Sequence, residues 1–234
     1  MSTHSDLWGQ TLPPTSERID NEQASHRAPS RQYPAPYDEV QDWDLRQFAQ
    51  QQVAVLVQQV FLSGRIPKPQ QVVFSSIEPW SGTGRLCARA SEVLAAMTEA
   101  QVCLVDAGDL GSSTDFRRFA AQPLRSNLRT VSGSELCGEG RTTPEPSTLA
   151  RRLVQFKREF DYTVIHAPSL RASRDAIALA QMSGGMVLVL QAHATRRSAA
   201  LQMKEILDRA GVRLLGTVLA ERKFPIPESL YRRL

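Results

Sequence analysis

From Leu45 onward, short apolar runs alternate with stretches in which apolar residues recur every three or four positions. Leu45, Phe48, Ala49, Val53, Leu56, Val57 and Val60 fall on one face with glutamines opposite, which predicts an amphipathic helix ended by Gly64, Pro67 and Pro69. QVVFSS, residues 71–76, is apolar enough for a buried strand. Residues 85–97 carry Leu86, Ala90, Val93, Leu94 and Met97 at helical spacing. Strands are then predicted over 101–107 (QVCLVDA), more weakly over 127–131 (NLRTV), and over 162–167 (YTVIHA), 185–192 (GMVLVLQA) and 213–220 (RLLGTVLA). Between them a loop is expected over 132–146. Helices are expected to be capped by Ser147, Ser173 and Thr195, the last ending at Gly211.

Strands apolar on both faces, separated by amphipathic helices, predict a parallel sheet covered on both sides. The expected fold class is therefore a three-layer, doubly wound, mostly parallel α/β domain over residues 67–221, preceded by a docking helix over 41–66. Residues 1–40 are rich in Ser, Pro, Gln and charge, too polar to offset the entropy of ordering, and are expected to be disordered. Residues 222–234 form a basic tail.

Composition changes this picture little. With 234 residues and 41% hydrophobic content the chain can bury one good core. A net charge of +4 is a weak pointer to nucleic acid or an anionic surface. The cysteines Cys87, Cys103 and Cys137 lack metal-ligand spacing and read as thiols of a reducing compartment. No apolar stretch has the length of a membrane span and the first residues lack a basic-then-apolar signal, so a cytoplasmic location is expected.

In doubly wound sheets ligands bind at the carboxyl ends of strands. After the first strand comes SIEPWSGTGRLCA, in the place of a phosphate-binding loop. Such a loop needs glycines for converging N–H groups, a Lys for the phosphates and a Ser/Thr hydroxyl for Mg²⁺. Here Ser81, Gly82, Thr83 and Gly84 are followed by Arg85 at the expected Lys position and Leu86 at the expected hydroxyl position. On the residues alone, a nucleotide loop and a ligand-free glycine turn stand about equal. Asp106, in VDAGD with Asp109, reads as a metal-water or base carboxylate or as a cap on the next turn. His166, in VIHAPS, reads as a titrating group or as a packed, hydrogen-bonded residue.

With these strand ends in register, the chain resembles the cytoplasmic domain of bacterial polysaccharide-biosynthesis tyrosine autokinases (BY-kinases), of the deviant-Walker P-loop ATPase group. The likeness runs over residues 45–234 and rests on FSSIEPWSGTGR, CLVDAGDL, FDYTVIHAPS, GGMVLVLQAHATRRSAA and GVRLLGTVLAERKFPIP. It implies a P-loop NTPase-like fold. It also implies that PGEGKST is replaced by residues 81–87, and that the second aspartate of a DAD motif is replaced by Gly108, with Asp109 one place late. His166 stands at the Walker B position, Ala220 at an adenine-binding asparagine, and Tyr231 is what remains of a phosphorylated tyrosine cluster.

Each missing group is worth roughly 2–4 kcal/mol of transition-state stabilisation. The expected function is thus a catalytically degenerate, non-hydrolysing regulatory or scaffold subunit in exopolysaccharide biosynthesis or export, with no catalytic residue, metal or cofactor. The resemblance implies a membrane chain-length or co-polymerase protein, or an active kinase paralogue, as partner. It places the chain at the inner membrane through that partner, and homo-oligomerisation is compatible with it. One alternative is an unorthodox ATP- and Mg²⁺-dependent tyrosine kinase using Arg85 and Asp106 or Asp109. A second is a positioning protein that binds DNA or membrane through Arg196, Arg197, Arg222, Lys223, Arg232 and Arg233, DNA being the weaker expectation.

Overall fold

The computed structural model describes residues 45–64, 67–80, 82–108, 125–137 and 145–221. The expectations for residues 1–40 and 222–234, and for Ser81, Asp109 and Tyr231, lie outside the described residues.

Six strands form one sheet: β1 (Gln71–Ser76), β2 (Val102–Asp106), β3 (Leu128–Ser132), β4 (Tyr162–His166), β5 (Met186–Gln191) and β6 (Leu214–Ala220). Their spatial order is β3-β2-β4-β1-β5-β6, and every neighbouring pair is parallel. The two-residue period of a strand sends alternate side chains to opposite faces, and each face is covered by helices. Val72, Phe74 and Val164 pack with Val57 and Phe61 of the first helical segment and with Leu94 of α2 (Gly82–Met97). Val73, Ile165 and Leu188 pack on the other face beneath α4 (Pro146–Glu159), α5 (Asp175–Met182) and α6 (Arg197–Arg209). The docking helix is present as α1 (Leu45–Val57), continued by a π turn over Gln58–Leu62.

Several local expectations are corrected. Helix α2 begins at Gly82, three residues before the expected start. The loop expected over 132–146 contains a short helix, α3 (Gly133–Cys137). Ser147 and Thr195 do not cap helices. Pro146, with its fixed φ, opens α4 after the extended Glu145, and the Thr195 hydroxyl accepts the Gln191 N–H at 3.0 Å. Ser173 does serve α5, its hydroxyl accepting the Asp175 N–H at 3.0 Å. Gly211, at φ 68°, terminates α6 as expected. Among the described residues no helix is long and apolar enough to cross a membrane.

Candidate functional site

The parallel register of β2 and β4 sets Asp106 beside His166, each the last residue of its strand. His166 Nδ1 donates to Asp106 Oδ1 at 2.7 Å, and the same oxygen accepts the Gly108 N–H at 3.1 Å. The carboxylate is buried and the imidazole nearly so, with side-chain exposures of 7% and 15%. Asp106 thus closes the turn that follows it, and His166 is packed and hydrogen-bonded.

The imidazole is seated against two glycines. A Cβ at Gly108 would lie 2.2 Å from His166 Cε1, and one at Gly84, in the first turn of α2, 3.3 Å from the same atom. The ring thus fills the space between the glycine loop and the end of β2, and a side chain at position 108 is incompatible with it.

A second ring covers the other end of the loop. The Trp80 indole lies on Gly82 so closely that a Cβ there would sit 2.0 Å from it. Trp80 Nε1 donates to Glu221 Oε1 at 3.3 Å, and Gln191 Nε2 donates to Glu221 Oε2 at 2.6 Å. One carboxylate therefore joins the loop after β1 to the ends of β5 and β6. Glu221 holds a left-handed backbone, φ 55°, which a glutamate adopts only at some cost. The buried Thr83 hydroxyl has no hydrogen-bond partner among the described residues.

Of the sequence candidates, the structure brings together Gly84, Asp106 and His166, with Gly82 and Thr83 in the same first turn of α2. Arg85 is exposed, and Leu86 packs into the apolar cluster between α1, α2 and the sheet. A phosphate loop places its Lys and hydroxyl residue directly after its last glycine, as the helix begins. The last glycine here is Gly84, so those two places remain Arg85 and Leu86, both within the first turns of α2. Ala220 ends β6, its carbonyl accepting the Ala192 N–H at 2.8 Å. Sequence reasoning missed Trp80, Gln191 and Glu221. A tryptophan inside a glycine loop was the available signal.

Among the described residues no group of three or more His, Cys, Asp or Glu is placed to hold a metal ion. Cys87 and Cys103 are free, buried thiols. Burial pushes the Cys103 thiol up to about 12, and burial, then the charge of Asp106, raises Cys87 well above the usual range.

No family model matches the sequence. A stretch of 86 residues is 30% identical to a tyrosine-protein kinase, CpsD, of Streptococcus agalactiae, covering 34% of this chain and 38% of that protein. The chain thus spans well under half the length of the curated relatives it matches. In fold it is similar to the VpsO kinase domain, at 20% identity over 76% of this chain and 98% of that one, with a TM-score of 0.59. The kinase domain of the Escherichia coli tyrosine kinase ETK gives 17% identity over 76% and 79%, with a TM-score of 0.57. The fold is that of P-loop NTPases, and the resemblance to BY-kinase domains read from the sequence holds.

Proposed function

We propose that this chain is a P-loop-fold protein that does not hydrolyse nucleotide and acts as a regulatory or scaffold subunit in exopolysaccharide biosynthesis or export. The observation that carries the reading is the seat of His166. Its imidazole is bonded to Asp106 at 2.7 Å and lies against Gly84 and Gly108. In an active P-loop enzyme this region holds Mg²⁺ on a Ser/Thr hydroxyl and a strand-end carboxylate, beside a phosphate-binding Lys. Leu86 offers no hydroxyl, Arg85 no compact ammonium, and Asp106 is already committed to His166. The residues present do not fit a magnesium triphosphate.

The replacements at 108 and 166 are mutually consistent, which favours a repacked site over a damaged one. Glycine at 84 and 108 makes room for the ring, and the ring gives the buried carboxylate a second hydrogen bond beside that of the Gly108 N–H. The partner in this reading is a membrane chain-length or co-polymerase protein or an active kinase paralogue, a proposal supported by the BY-kinase resemblance. Incubation with ATP and Mg²⁺ is expected to leave the intact mass unchanged. Phosphate gained on Tyr231, and lost in Asp106→Ala, would replace this reading with the unorthodox kinase.

A further inference from the structure

Helix α4 stands apart from the other surface helices in its charge. On α6, Lys204 pairs with Asp208 at 2.6 Å and Arg209 with Glu205, and on α2 Arg89 pairs with Glu92 at 2.8 Å. On α4, Arg151, Lys157 and Arg158 are exposed and have no carboxylate partner among the described residues. The acidic residue of the helix itself, Glu159, instead accepts Gln155 Nε2 at 2.7 Å. Leu149, Leu153 and Phe156 bury the inner face, so Arg151, Val154 and Arg158, spaced three and four apart, form the outermost line. Val154 is 51% exposed. Past the end of the helix the exposed Arg129 of β3 holds its guanidinium 5.9 Å from the Phe160 ring centroid.

We propose that this outer face of α4 docks on the headgroup layer of an anionic phospholipid bilayer. A straight helix about 20 Å long presents a line of cations to a flat surface. The exposed valine at the centre of that line meets the acyl boundary while the long stems of the cations reach outward to phosphate. A polynucleotide would take the cations but has no use for Val154. The aromatic rings of α4, Phe156 and Phe160, are buried rather than offered for base stacking. The inference rests on the surface of α4 and is independent of the nucleotide-site reading.

The test is sedimentation of the full chain with vesicles of phosphatidylcholine containing phosphatidylglycerol, or of phosphatidylcholine alone. Binding is expected only with the anionic lipid, weakening as salt shortens the screening length. Each cation removed is expected to weaken binding about fivefold, so Arg151→Gln with Arg158→Gln loses more than tenfold. Val154→Asn is expected to weaken vesicle binding several-fold and to leave retention on duplex DNA unchanged. These positions are exposed, and circular dichroism checks that the variants fold. Equal binding to both vesicle types, full binding by the double variant, or an unchanged Val154→Asn would overturn the proposal. Displacement from vesicles by stoichiometric duplex DNA would overturn it in favour of a nucleic-acid surface.

Discussion

His166 Nδ1 meets Asp106 Oδ1 at 2.7 Å across 60 residues of chain, and the ring so held rests on Gly108, two residues beyond the aspartate. The carboxylate, the imidazole and the glycine form one packed unit at the ends of β2 and β4. Such units behave non-additively when taken apart, and that property makes the arrangement testable without any ligand.

Gly108→Ala is expected to destabilise the protein by about 1–3 kcal/mol, because the new methyl meets the imidazole. His166→Ala is expected to cost about 1–3 kcal/mol by leaving the buried carboxylate with one hydrogen bond fewer. Combined, they should cost at least about 1 kcal/mol less than the sum, since the methyl then enters vacated space. Urea denaturation of the four proteins measures this directly, and simple additivity would rule out the ring position.

Trp80 reports on the other end of the loop. The chain has three tryptophans, so Trp8→Phe with Trp43→Phe leaves Trp80 as the sole emitter. In that background Glu221→Ala should red-shift its emission and increase quenching by iodide, because the indole loses the bond that holds it over Gly82. Stability should change by only about 1 kcal/mol, as expected for a partly exposed hydrogen bond. An unchanged spectrum would mean that Glu221 does not position the ring.

The buried thiols give a pH dependence. Burial raises Cys103 from its ordinary value near 9 to about 12, and Cys87 moves in the same direction. Below pH 9 both states of the protein keep these protons. As pH rises toward 12 the unfolded chain releases them first, so the stability they contribute declines across that window. The urea midpoint should fall steadily above pH 9. In Cys137→Ser, a disulfide reagent at pH 8 should react only after unfolding, and rapid native-state labelling would contradict the burial.

Much of the scaffold was legible in the sequence because its strands are apolar on both faces. Runs such as VVF and MVLVL leave little choice but a central, covered strand. The start of α2 was not legible. Gly82, Thr83 and Gly84 have poor helix propensity, and it is their position at the head of a buried helix that brings them into it. That three-residue difference brings the glycines, Arg85 and Leu86 together into the first turns of α2. The pairing of Asp106 with His166 was hidden for another reason. Each lay visibly at a strand end, but their contact depends on β4 lying between β2 and β1. The contacts of Trp80 and Glu221 span 141 residues and depend on the same strand order, which no local pattern announces.

The most direct test of the central claim is a calorimetric titration of the full chain with ATP in the presence of Mg²⁺. With His166 seated between Gly84 and Gly108, and Asp106 bonded to it, the account predicts no heat beyond dilution. Saturable, Mg²⁺-dependent binding in the micromolar range would contradict it, and would show that the imidazole yields its place to a metal and its nucleotide.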